Sequence, residues 1–168
     1  MKRRTYLTGT AVGLSALAGC GGGGTSGDDD SPIDAEPEEL LPAADLFGDE
    51  WEKQGNGTGG SLTPIELDGD TAKNSFATDG GQQGVDVEVT VFESVDEAMS
   101  GFEDMRDADS SDPSVEDVDI ASEAYLFDAF DTVYFRDANV IGMLSHVSDT
   151  SPTKPVEYGA DWHRNWRE

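Results

Sequence analysis

Apolar and polar residues alternate most cleanly where Val85, Val87, Val89 and Val91 interleave with Asp86, Glu88, Thr90 and Phe92. A period of two with β-branched residues along one side predicts a strand laid on a core. The period then changes. Val95, Ala98, Met99, Phe102 and Met105 recur at helical spacing and leave Glu97, Glu103, Asp104 and Asp107 outward, which predicts an amphipathic helix. Ser94 and Glu97 stand three apart at its start, the arrangement of a capping box in which each side chain meets the other's backbone amide. The two methionines read as core filler, and the acidic run from Asp107 to Asp119 as the loop that ends the helix.

Farther on, the pattern predicts a hairpin around Asp137-Ala138-Asn139, with Asn139 in the left-handed conformation that Asn tolerates. A three-residue loop sets Arg136 opposite Val140, Phe135 opposite Ile141 and Val133 opposite Met143. Thr132, Tyr134, Arg136, Val140, Gly142, Leu144 and His146 then share the other face, because register decides which side every residue takes. Near the end, Pro155 suits a first helical turn, and Tyr158, Trp162 and Trp166 follow at intervals of four as one aromatic stripe. Glu157 and Asp161 lie early in this segment and Arg164 and Arg167 late, as the helix dipole favours. This helix is expected to cover the sheet and to meet Tyr134 and Leu144.

Shorter signals complete the body. Residues 61–67 and 74–78 read as strands about the Asp68-Gly69-Asp70 turn, and Leu46, Phe47 and Trp51 as a short helix-like set ended by Gly48. The glycines of residues 55–60 have the spacing of a dinucleotide loop, but no apolar strand precedes them and no apolar helix follows, so they read as a plain loop. Within it, Asn56-Gly57-Thr58 is a candidate glycosylation sequon. The expected architecture is α+β, an antiparallel sheet of four to six strands packed against a central and a C-terminal helix.

Charge changes the picture from fold to environment. The 168 residues carry 36 Asp and Glu against 10 Lys and Arg, a net charge of −26. Such a chain cannot hold a nucleic-acid backbone through counterion release. Three of the bases, Lys2, Arg3 and Arg4, precede every acid. Without the first 19 residues, seven bases face the 36 acids, a net −29. Self-repulsion of that size is tolerable where salt screens it, the Debye length being ~3 Å at 1 M. The composition resembles that of haloarchaeal proteins. Disorder is the competing reading of high charge, but three Trp, four Tyr and seven Phe, mostly in patterned segments from Phe47 on, predict a folded core.

The N-terminus reads as an address. A basic start is followed by a mildly apolar stretch from Tyr6 to Ala18, too short to span a membrane as a stable helix and typical of a signal peptide. Arg3-Arg4-Thr5-Tyr6-Leu7 resembles the twin-arginine export motif, carried by Arg3, Arg4 and Leu7, although Lys2 and Thr8 depart from its flanks. The resemblance implies export machinery that moves folded protein. Leu17, Ala18, Gly19 and Cys20 resemble a lipobox, in which a signal peptidase recognises the small residues and the cysteine sulfur becomes a lipid thioether. Cys20 is the chain's single cysteine, so it has no intrachain disulfide partner, and a diacyl anchor satisfies the need for more than one acyl chain. These resemblances predict a signal peptide over 1–19, a lipid-anchored, flexible Gly- and Asp-rich tether over 20–38 and one α+β domain over 39–168. The product would sit on the extracytoplasmic face of the cell membrane. The order of elements resembles that of small PsbP-like lipoprotein domains. With the Phe135-Arg136-Asp137-Ala138-Asn139-Val140 segment, the whole looks like haloarchaeal twin-arginine-exported lipoproteins without an assigned function.

Candidate chemistry is thin. His146 and His163 belong to no paired ligand spacing, no serine stands in a nucleophile elbow, and no fixed calcium-loop pattern occurs among the acids. A joint site of His146, His163 and Asp161 is the remaining metal or acid–base arrangement. Arg136 is notable because bases are rare after the leader. It pairs either with a nearby acid or with a ligand on a face shared by Tyr134, Arg136 and His146. The sequence therefore predicts no catalytic residues, metal or cofactor, and a lipid-anchored binding or accessory module with an unknown protein or small-molecule partner. The alternative is a small-molecule or metal-binding lipoprotein serving a transporter or redox partner.

Overall fold

A computed structural model describes residues 31–55, 62–78, 80–81, 83–148 and 155–167. Seven strands form one sheet: β1 (Trp51–Gly55), β2 (Asp70–Thr78), β3 (Gln83–Val91), β4 (Val115–Asp117), β5 (Glu123–Phe127), β6 (Thr132–Asp137) and β7 (Val140–Ser148). Their spatial order is β1-β2-β3-β7-β6-β5-β4, and every neighbouring pair is antiparallel. Helix α1 (Val95–Asp109) crosses between β3 and β4, and α2 (Pro155–Arg164) follows β7. The class is α+β as the sequence indicates, with seven strands in place of four to six.

The sheet has a core on each face. On one, Val85, Val87 and Val89 of β3 join Ala72, Phe76, Val133, Phe135, Val140 and Leu144 beneath Trp162, Trp166, Leu40 and Phe47. On the other, Ala98, Phe102 and Met105 of α1 cover Tyr125, Tyr134, Ile141 and Met143. The valine face is therefore buried as its alternation requires. The facing residues are not simply solvated, because Glu88 and Thr90 are also buried. Each has a partner directly across on β2: Lys73 Nζ lies 3.1 Å from Glu88, and the hydroxyls of Thr71 and Thr90 lie 3.0 Å apart. Burial is tolerable for such groups because they are paired.

Several local expectations are corrected. Residues 62–67 form no strand: Pro64 offers no amide for a ladder, the Thr63 hydroxyl donates to the Ile65 carbonyl at 2.6 Å, and Leu62, Ile65 and Leu67 pack on the α1 core instead. Trp51 opens β1, after a single 3-10 turn over Ala44–Leu46 and a Gly48 at φ +124°. The acidic run from Asp107 is divided, for α1 continues to Asp109 and β4 occupies Val115–Asp117. Ser94 caps α1 by accepting from the Glu97 amide at 3.2 Å, while the Glu97 carboxylate lines a cleft rather than closing the box. Packed contacts start before residue 39, since Ile33 and Ala35 already lie against the valine-face core.

The largest correction is the β6–β7 register. Asp137 pairs with Val140, Arg136 with Ile141, Phe135 with Gly142 and Val133 with Leu144, one residue away from the register expected. The loop is the two residues Ala138 and Asn139, and Ala138 rather than Asn139 takes positive φ, at +48°. Two contacts favour this solution. Phe135 and Trp166 lie over Gly142, where a Cβ would stand 2.5 Å and 2.8 Å from their rings, so only glycine fits opposite Phe135. Asn139 meanwhile uses its side chain as a staple. Its Oδ1 accepts from Ile33 N at 2.7 Å, and its Nδ2 donates to Ile33 O at 3.3 Å and to Phe92 O at 2.9 Å. Asn139→Ala is expected to lower stability by about 2–3 kcal/mol, because buried backbone groups lose their partners. Denaturant unfolding checks this, and a loss of less than about 0.5 kcal/mol would contradict the staple.

Helix α2 carries the predicted aromatic stripe, with Trp166 in a 3-10 turn over Asn165–Arg167. It covers the valine face. It thus meets the Leu144 side of β7, as expected, and not Tyr134, which lies in the α1 core.

Candidate functional site

The corrected register separates the residues of the expected ligand face. Tyr134 and Arg136 project toward α1, whereas His146 follows Val140, Gly142 and Leu144 on the α2 face. Arg136 is buried and occupied: its Nε donates to Glu123 Oε2 at 2.7 Å on the neighbouring strand, and its Nη1 donates to Ala138 O at 2.9 Å. The nearby-acid reading of this arginine is the one the geometry provides. Tyr134 stacks on Tyr125 with ring centroids 4.8 Å apart. Burial, and then the negative charge of Asp109, push both phenols above their ordinary pKa, so they remain protonated.

Asp109 at the end of α1 closes this group by accepting the Tyr125 hydroxyl proton at 3.1 Å. Burial raises its carboxyl pKa, the tyrosine hydrogen bond opposes that, and Asp112 raises it further. Two buried phenols and a carboxylate lie packed under Phe102 and Met105. No periodic signal marks this group in the sequence.

His146 is buried and packs 6.4 Å from the Trp51 ring, with an Nδ1 that has no hydrogen-bond partner among the described residues. Burial lowers its pKa, against the opposing effect of Asp131. A depressed folded-state value means that the unfolded chain binds the proton more tightly. The associated stability is complete above the unfolded pKa of ~6.5 and is lost as pH falls through and below it. Stability should therefore fall less steeply between about pH 7 and 5.5 in His146→Gln than in the parent protein. Parallel curves in paired denaturant titrations would contradict the assignment.

His163 lies elsewhere. Its Nε2 is 2.9 Å from Asp137 Oδ2 at the hairpin tip. His146 lies six positions along β7 from Val140, the partner of Asp137, which is about 20 Å at strand rise. Asp161 pairs with Arg164 at 2.5 Å. The three residues do not assemble, and among the described residues no group of three or more His, Cys, Asp or Glu side chains is placed to hold a metal. Arg3, Arg4, Leu7, Leu17, Ala18, Gly19, Cys20 and Asn56 lie outside the described residues.

The motifs do not announce the concavity beside the start of α1. A cleft of about 480 Å³ is lined by Asp68, Gly69, Asp70, Val91, Phe92, Glu93 and Glu97. A second, of about 270 Å³, continues from Asp68, Phe92 and Glu97 along α1 to Gly101 and Asp104. The turn before β2, the end of β3 and the first turns of α1 place carboxylates around the apolar floor of Phe92. At Gly101 α1 lies close to this floor, where a Cβ would make ordinary contact with Leu67 and Phe92 at 3.4 Å. The rim offers hydrogen-bond acceptors and negative charge, which suits cationic groups and disfavours phosphates. Sequence reasoning missed the cleft because its acids are indistinguishable, by type alone, from the chain's many others.

No family model, no curated protein and no solved structure matches the chain.

Proposed function

We propose that this chain is a lipid-anchored, extracytoplasmic protein of a halophile, whose α+β body is a binding or accessory module rather than a catalyst. One observation carries the proposal. The chain's single cysteine stands directly after Leu17-Ala18-Gly19, within reach of an Arg3-Arg4 export signal. A free external thiol would be reactive, and conversion to a lipid thioether gives that cysteine a use. The seven-to-36 ratio of bases to acids after the leader supports a saline exterior. Support for binding over catalysis comes from the separated histidines and from Arg136, whose described contacts are to Glu123 and Ala138.

Cys20→Ser is expected to move the protein from the membrane fraction to the medium of expressing cells. Unchanged membrane retention would overturn the anchor. The alternative, a small-molecule or metal-binding lipoprotein serving a transporter or redox partner, draws its support from the 480 Å³ carboxylate-rimmed cleft, which suits a cationic ligand.

A further inference from the structure

The position at which the chain enters the body has a consequence for how an anchored body is presented. The Asn139 staple holds Ile33 at the β6–β7 tip. Antiparallel pairing brings other segments to that end: Val91 of β3 opposite Val140, Asp70 of β2 opposite Val91, and Glu123 of β5 opposite Arg136. Helix α1 starts there, and α2 finishes there with His163 on Asp137. The acidic cleft lies at the same end, between Asp68–Asp70 and the start of α1. The opposite end carries the Gly80-Gly81 turn and the Asp128–Phe130 3-10 turn, where Phe130 is 66% exposed.

We infer that the membrane-anchored protein stands with its β6–β7 tip and acidic cleft toward the lipid headgroups and its Phe130 end outward. The inference rests on the anchoring of Cys20 proposed above. Ile33 lies thirteen positions after Cys20, and a Gly-rich chain of that length has a contour of at most about 45 Å and a random-coil span of about 20 Å. The nine residues of β7 make the body about 30 Å tall along its strands. An inverted body would hold Ile33 about 30 Å from the surface, beyond the relaxed span, and chain statistics disfavour that on the order of tenfold. Repulsion between tip carboxylates and anionic headgroups does not reverse the preference in molar salt, where it decays over ~3 Å. A ligand or partner of the cleft would then be met in the layer next to the bilayer, and a partner arriving from the medium would meet the Phe130 end first.

The test uses the full lipidated chain, in which Cys20 is blocked, so one introduced cysteine is the sole free thiol. Asp96→Cys at the start of α1 and Ala129→Cys beside Phe130 are both exposed positions. Each is labelled with a fluorophore, and energy transfer is measured to acceptor-labelled lipid in phosphatidylcholine vesicles at molar salt. Unchanged circular dichroism qualifies each variant. Transfer is expected to be roughly twofold or more stronger from position 96, because the two ends stand about 25 Å apart. Equal transfer, or stronger transfer from position 129, in vesicle-bound protein overturns the orientation and leaves the anchor standing. A Cys20 that reacts with the fluorophore, on protein that does not float with vesicles, overturns both.

Discussion

Trp162→Ala is expected to destabilise the body by about 4–5 kcal/mol, a large part of the stability of a domain this size. Trp162 is 1% exposed and meets Phe135 edge-on at 5.2 Å and Trp166 at 5.7 Å. Removing an indole from such a position leaves a cavity that the sheet beneath cannot fill, because strand pairing fixes Val133, Phe135 and Leu144 in place. A polar loss adds to it. The Trp162 Nε1 donates to Leu40 O at 2.6 Å, binding the N-terminal segment over the sheet. Trp162→Phe separates the two contributions: it keeps the ring contacts, abandons the Leu40 carbonyl, and should cost about 1–2 kcal/mol. Denaturant unfolding followed by circular dichroism at molar salt gives both values. A Trp162→Ala loss below about 1 kcal/mol would mean that α2 is not the lid of this core.

The same helix shows what was legible in the sequence. Tyr158, Trp162 and Trp166 at intervals of four could serve only one face of a helix, and Val85, Val87 and Val89 only one face of a strand. Regular periods declared both, and the structure places them against each other. The strands β1, β4 and β5 lack such a signal. β5, Glu-Ala-Tyr-Leu-Phe, does not alternate by type, yet Tyr125 within it is fully buried because α1 covers that side. β1 is an edge strand of mostly polar residues, Glu52, Lys53 and Gln54, the composition that keeps edges from pairing with other chains. Trp51 and Gly55 alone are partly buried, so nothing in the pattern marks a strand, and Trp51 reads with Leu46 and Phe47 as part of a helix-like set.

The hairpin failed for a different reason. Its two strands are legible in the pattern, but the backbone preference of Asn139 points to a three-residue loop, whereas the structure uses Asn139 for its amide side chain. That single residue of loop length moved His146 from the face of Tyr134 and Arg136 to the opposite one, and the expected ligand face went with it. Gly142 held the missing information. A glycine in an otherwise apolar strand indicates close approach by something large, and Phe135 was the available ring. The acidic cleft was illegible because it is made by two stretches distant in sequence, Asp68–Asp70 and Val91–Glu97, and nothing in Asp68, Asp70, Glu93 or Glu97 singles them out.

Salt should have the largest effect of all, taking the body from substantially unfolded in dilute buffer to cooperatively folded at molar potassium chloride. The cations after residue 19 are few, and the structure already engages four of them. Lys73 meets Glu88, Arg106 meets Asp117, Arg136 meets Glu123 and Arg164 meets Asp161. Each pairs a strand or helix residue with an acid nearby, so these bases neutralise local charge and leave most of the 36 carboxylates to repel one another. Folding concentrates that charge on a compact surface, whereas unfolding separates it, and self-repulsion therefore opposes the native state until ions screen it. The Debye length falls from ~10 Å at 0.1 M to ~3 Å at 1 M, below the spacing of most surface charges, so the opposing energy should decline over this range. The half-buried Lys73–Glu88 pair is screened less than the exposed Arg106–Asp117 pair, so added salt removes repulsion faster than it removes useful attraction. Circular dichroism and thermal melting across a potassium chloride series should show the midpoint rising steeply before it levels. Comparison with sulfate at equal ionic strength separates screening from the general strengthening of apolar burial by excluded salts. A melting point that does not move between 0.1 and 1 M would overturn the screening argument and, with it, the reading of the charge as an adaptation to brine.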